Sequence, residues 1–191
     1  MPVCALAPLF PGQKVPDLAV STIGGGTWRL VEQRAKHFTL IAFYRGLHCP
    51  ICATYVRDLD IKLEALSRLG VSAVAISTDD ASRAEQSRQK WRIDKLPIGY
   101  GLDLDTARRW GLYVSAGHGA TSTGVAEPPL FTEPGLFLVR PDGTLYFGTV
   151  QTMPFARPHF ADIVSALDFV ISKNYPARGE VLDPIDPARA A

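Results

Sequence analysis

Residues 43–52 read Phe43-Tyr44-Arg45-Gly46-Leu47-His48-Cys49-Pro50-Ile51-Cys52, an apolar end, a short turn and two cysteines three apart. Upstream, residues 37–44 read as a buried strand, because Phe38, Leu40, Ile41, Phe43 and Tyr44 leave no polar face. Downstream, Cys52, Val56, Leu59, Leu63 and Leu66 recur at helical spacing up to Gly70, a suitable residue just past a helix C-terminus. The two cysteines therefore sit where a buried strand turns into an amphipathic helix. Pro50 suits the first helical turn, where its missing N–H costs no hydrogen bond.

That position favours a reactive thiol. Unpaired N–H groups and the positive end of the helix stabilise a thiolate at Cys49, and Arg45 and a protonated His48 are further candidate cations. Lowering the thiol pKa from about 8.5 to roughly 6.5 lifts the thiolate fraction at neutral pH from a few per cent to roughly three quarters. Cys52, one helical turn on, is placed to attack a mixed disulfide or sulfenic acid formed on Cys49 and close an intramolecular disulfide. Two other readings compete. A zinc site needs a second pair of ligands at short spacing, which Cys4, His37, His118 and His159 do not supply. Inert core thiols are the rule for single cysteines, but a CxxC at a strand-to-helix junction points to redox chemistry. No metal or organic cofactor is required.

The rest of the chain extends the pattern. Residues 71–76 form a second short buried strand, Asp79 and Asp80 can cap a helix running to Trp91, and Asp103 can cap a shorter one through Trp110 and Gly111. Both tryptophans fall on inward stripes. Residues 135–139 and 144–147 flank Pro141-Asp142-Gly143 as a hairpin, and a last helix covers residues 157–172. Gly24-Gly25-Gly26 lacks the Lys-Ser/Thr of a phosphate loop and reads as a hairpin turn before Trp28. About 23 residues, 112–134, hold no periodic element, and a loop of that length invites the reading of a lid. Its His118 is expected in solvent. The succession implies an α/β fold, a mixed central sheet with helices on both faces. Residues 1–15 read as an N-terminal extension with Cys4 as a bystander thiol, 16–175 as one domain, and 176–191 as a Pro-rich tail.

Composition bounds the partners. Twenty basic and nineteen acidic side chains in 191 residues leave a net charge of +1, which provides no field for nucleic acid or an anionic membrane. No stretch is apolar enough to span a bilayer. With no basic residue before Lys14, the N-terminus lacks a secretory layout, and a cytoplasmic protein is the default expectation. A homodimer is the base-rate expectation for assembly.

At these residues the sequence resembles the thioredoxin superfamily, and within it the peroxiredoxin-like alkyl hydroperoxide reductase/thiol-specific antioxidant branch. Pro11-Gly12 with Val15-Pro16-Asp17-Leu18 is similar to that branch's opening segment, Tyr44-Arg45-Gly46 before Cys49-Pro50-Ile51-Cys52 resembles its CxxC-bearing members, and Phe137-Leu138-Val139 with Pro141-Asp142-Gly143 resembles its late hairpin. The resemblance implies a thioredoxin-like fold, a peroxide or disulfide substrate, and a dithiol protein or low-molecular-weight thiol as reductant. It also implies a cis-proline opposite the cysteines, for which Pro134 is the match, leaving the Glu133 backbone free to pair with an extended peptide. Two departures bear on activity. The branch's peroxide-orienting hydroxyl and proline fall at Gly46 and Ala42, and its arginine falls at Pro134. The buried strand carries Phe43 where thioredoxins have an acid, and His48, an acid/base or an exposed residue at the helix entrance, replaces their tryptophan. The expectation is a thiol–disulfide oxidoreductase, with an antioxidant peroxidase acting on hydrogen peroxide or alkyl hydroperoxides as the next reading and a non-catalytic binding module as a third.

Overall fold

The computed structural model describes residues 7–183, so Cys4 and the end of the tail lie outside the described residues. Strand β3 (Phe38–Phe43) is buried at every position, which explains its continuous apolar run. It pairs in parallel with β4 (Val71–Ile76), and β4 with β5 (Ile98–Tyr100). On its other side it pairs antiparallel with β8 (Gly135–Val139), and β8 with β9 (Leu145–Val150). The hairpin β1 (Ala19–Thr22) and β2 (Thr27–Arg29) turns through the three glycines and joins β5, giving a seven-stranded mixed sheet in the order β2-β1-β5-β4-β3-β8-β9.

Alternation along β3 divides the core. Leu40 and Ala42 face a cluster containing Val56, Leu59 and Leu66 of α1 (Pro50–Arg68), Ala84 and Trp91 of α2 (Ala81–Trp91), and Phe160 and Leu167 of α4 (Phe160–Ser172). Ile41 and Phe43 face a second cluster with Ala107 of α3 (Leu104–Arg109), Trp110 and Leu112. Helices thus cover both faces, as expected. Helix α1 ends at Gly70, whose φ of +69° suits glycine, and a Cβ there would meet Lys36 and His37 at 2.9 Å. Asp80 caps α2 by accepting from the Arg83 N–H, and Asp103 caps α3 the same way from Thr106. Asp79 is not a cap; it is buried, and its carboxylate accepts from the Leu47 N–H.

Two expectations need correction. The long loop is not wholly irregular, because β6 (Val114–Ala116) and β7 (Leu130–Thr132) pair as a two-stranded antiparallel ribbon. Three residues per strand are too few to show alternation, and the same brevity hid β5. Helix α4 begins at Phe160, three residues later than the pattern suggested, since Pro158 precedes it and Arg157 is engaged elsewhere. Residues 176–183 form no regular element. Among the described residues no helix is long and apolar enough to cross a membrane.

Leu59 is fully buried where α1 meets the sheet. Replacing it with Ala is expected to destabilise the protein by about 2–5 kcal/mol, read as a lower denaturant midpoint.

Candidate active site

Cys49 is the N-cap residue of α1, with φ −96° and ψ 107°, so its side chain turns back over the first helical turn. Its sulfur accepts a hydrogen bond from the Cys52 N–H at 3.3 Å. Both cysteines are free and almost wholly buried, at 1% and 0% exposure. The Cys49 thiol is lowered to about 6, chiefly by the hydrogen bond from the Cys52 thiol, with the Cys52 N–H and the Arg157 and Arg45 charges helping against burial. Cys52 is pushed well above the ordinary thiol range, first by burial and then by the neighbouring Cys49. The pair is therefore poised as one thiolate and one thiol, with the charge on Cys49.

The residue that the sequence pattern does not reveal is Arg157. Its Nη2 lies 3.2 Å from the Cys52 sulfur and 3.8 Å from the Cys49 sulfur, while Nε donates to the Pro154 carbonyl at 2.8 Å. The guanidinium stands 5.0 Å over the Tyr55 ring, and the Tyr55 hydroxyl donates to the Pro158 carbonyl. Nothing in the local sequence marks Arg157, because the approach is made across 108 residues.

Gly46 shows why the departure from the family pattern is structural. Its φ is +130°, and a Cβ there would lie 2.7 Å from both carboxylate oxygens of Asp79. That carboxylate accepts from the Leu47 N–H at 2.7 Å and from Arg83 Nε at 2.8 Å. Burial pushes the Asp79 carboxyl up, while Arg83 and the Leu47 N–H pull it down. The turn before Cys49 is thus held by a buried carboxylate instead of by a hydroxyl on its own backbone.

Arg45 and His48 flank the turn. Arg45 is largely buried among carboxylates: Nη2 reaches Glu127 at 3.1 Å, Nε stands 3.4 Å from Glu133, and the guanidinium lies 4.7 Å over Phe131. His48 is fully buried, so the exposed alternative is corrected. Burial and the Arg45 charge lower it to about 4, which keeps the ring neutral at pH 7. It packs edge-on against Phe131 at 4.6 Å, with Arg83 Nη2 3.5 Å from Nδ1. Since arginine can only donate, Nδ1 is the acceptor. His48 is a packed neutral ring, not an imidazolium beside the thiolate.

Residues 117–129 sit on this turn. Thr121 Oγ1 donates to the His48 carbonyl at 2.7 Å, Arg83 Nη2 donates to the Ala126 carbonyl, and Glu127 takes Arg45. His118 is exposed, as expected, and its N–H donates to Glu127. Pro134 needs a correction, because no cis peptide bond occurs among the described residues. The Glu133 N–H already donates to the Tyr113 carbonyl at 2.8 Å, so this backbone is not free for a peptide. Pro134 borders the site through Glu133, whose carboxylate faces Arg45 and accepts from Ser115. Among the described residues no group of three or more His, Cys, Asp or Glu is placed to hold a metal.

Restoring the family's hydroxyl by Gly46→Thr is expected to destabilise the protein by at least about 1–3 kcal/mol, since a β-branched residue would take a positive φ against the Asp79 carboxylate. A lowered thermal midpoint checks this.

Residues 11–147 match the AhpC/TSA family. No curated protein sequence matches the chain. Among solved structures, the chain is similar to the peroxidoxin BcpB from Mycobacterium tuberculosis, with 18% identity over 85% of this chain and 98% of that one and a TM-score of 0.66. It is also similar to a mutant of peroxiredoxin 6 of Arenicola marina, at 16% identity over 95% and 87% with a TM-score of 0.69. Enterococcus faecalis AhpC matches at 18% identity over 93% and 100% with a TM-score of 0.65. At such identities these structures establish the thioredoxin-like fold alone. The family match spans the sheet from before β1 into β9 and includes both cysteines, and on that ground the chain belongs to the AhpC/TSA family and is a thiol-dependent oxidoreductase.

Proposed function

We propose that Cys49 is the attacking thiolate of a dithiol oxidoreductase and that Cys52 resolves the product as an intramolecular disulfide. The observation that carries this reading is the Cys49 sulfur at the start of α1, bonded by the Cys52 N–H and faced by the Arg157 guanidinium. With a hydroperoxide, the thiolate attacks the distal oxygen, the O–O bond breaks, and an alcohol leaves after taking a proton from solvent. Cys52 then displaces the hydroxyl of the sulfenic acid, releasing water, and its own proton leaves in that water. With a disulfide substrate, the same two sulfurs act through a mixed disulfide. A dithiol protein or a low-molecular-weight thiol resets the pair in the cytoplasm, where thiols are kept reduced.

One feature favours the hydroperoxide over a bulky disulfide. Both sulfurs are buried, so the closed site admits only a small oxidant. Arg157 also supplies donors that the sequence left unfilled at Gly46 and Pro134. Guanidinium N–H groups beside the attacked oxygen stabilise the charge that develops as the O–O bond breaks.

Reaction of the reduced protein with hydrogen peroxide, followed by thiol counting by mass, tests the assignment. The expected result is loss of two thiols in the unaltered protein, none in Cys49→Ser, and a trapped sulfenic acid in Cys52→Ser. Arg157→Ala is expected to slow the peroxide step by roughly 10²–10³. Thiol loss that persists in Cys49→Ser contradicts the roles of the two cysteines, and a chain inert to both peroxide and small disulfides is a binding module.

A further inference from the structure

We infer that Tyr55 is a positioning residue for the peroxide reaction, a platform that holds the Arg157 guanidinium where it reaches the two sulfurs. The inference rests on the assignment of Cys49 as the attacking thiolate and of Arg157 as a donor to the attacked oxygen.

Arg157 has little else to steer it inward. It belongs to the irregular segment between β9 and α4, and a long side chain on such a segment has many rotamers open to it. Its side-chain hydrogen bonds among the described residues run from Nε to the Pro154 carbonyl on the same segment and from Nη2 to the sulfurs. None of these goes to a carboxylate, and Nη1 is buried without a partner. The residue is also only partly buried, so water competes for the cation. The contact that favours the inward orientation is the Tyr55 ring, over which the guanidinium stands at 5.0 Å. The negative face of the ring compensates part of the hydration that the cation gives up, and it leaves the in-plane N–H groups free for the sulfurs.

Helix α1 places Tyr55 for this task. Tyr55 follows Cys52 by three residues, one turn along the same face, so the resolving sulfur and the ring stand side by side where the guanidinium arrives. The same side chain fixes the backbone that carries Arg157. Its hydroxyl donates to the Pro158 carbonyl at 3.0 Å, and its ring centre lies 4.3 Å from that of Phe160, the first residue of α4. One side chain thus touches residues 157, 158 and 160. Burial pushes the Tyr55 phenol above its ordinary range against the lowering pull of Arg157, so the hydroxyl keeps its proton and stays a donor to Pro158. The contribution of Tyr55 is therefore to place Arg157 and not to move a proton.

The test compares two reactions of the reduced full chain at about pH 8, where the lowered Cys49 thiol is ionised: thiol loss to hydrogen peroxide, and alkylation by iodoacetamide, which needs the thiolate but no donor to a breaking O–O bond. Tyr55→Leu is expected to slow the peroxide reaction roughly tenfold and to leave alkylation within about twofold. Tyr55→Phe keeps the ring and is expected to recover most of the peroxide rate. In an Arg157→Ala background, Tyr55→Leu is expected to have no further effect, because the two residues act as one unit. A peroxide rate unchanged in Tyr55→Leu, or peroxide and alkylation rates that fall together, overturns the platform and leaves the thiol chemistry standing. An effect of Tyr55→Leu that persists undiminished without Arg157 overturns it as well. Peroxide reaction that survives in Cys49→Ser overturns the cysteine assignment and the platform with it. If Tyr55→Leu does not fold, the guanidinium proton resonances of Arg157 in the unaltered chain decide: displacement upfield by the ring current is expected, and the positions of a free arginine overturn the platform.

Discussion

The site depends on keeping a negative sulfur in a place with almost no water. A buried anion is stable only when donors and cations replace its hydration. Those replacements come from three directions: the backbone and thiol of Cys52 on the same helix, the positive end of α1, and the guanidinium of Arg157 from beyond the last strand. The sheet exists, in functional terms, to bring these together. Strand β3 delivers Cys49 to the head of α1, and the β8–β9 hairpin, paired to β3, returns the chain so that Arg157 meets the sulfurs.

A second layer fixes the turn that carries Cys49. Asp79 holds the Leu47 N–H and Arg83, Gly46 leaves the space for that carboxylate, and Arg83 reaches on to residues 117–129. Glu127, Arg45 and Glu133 continue the alternation of charge on the other side. Each buried charge in this layer has an opposite partner, which is the condition for keeping it out of water. The consequence for chemistry is indirect. These contacts place the turn so that the helix end and Arg157 both act on the sulfur.

Much of this is legible in the sequence. The continuous apolar run 37–44 and the helical spacing after Cys52 mark the junction, because burial on both sheet faces and on one helix face imposes different periods. Turn residues mark both hairpins, and Asp80 and Asp103 mark helix starts. What the sequence withholds is of another kind. Strands of three residues carry no period to read, so β5, β6 and β7 escape a periodicity argument. Arg157 falls inside a helical pattern, since a contact across 108 residues has no local signature. His48 stands between two roles because neither burial nor a partner's charge is written in a single chain. Pro134 matches a cis-proline by resemblance, whereas the described residues hold no cis peptide bond.

The most direct test of the account is a pH titration of the reduced protein followed by thiolate ultraviolet absorbance. One thiol is expected to ionise with a midpoint near about pH 6 and to vanish from the titration in Cys49→Ser, while Cys52 stays protonated well beyond it. The sign is set by the lowered pKa: the thiolate is fully present above that midpoint and is lost as the pH falls through it. Absence of any ionisation until the ordinary thiol range, above about pH 8, contradicts the central claim that this site holds Cys49 as an anion.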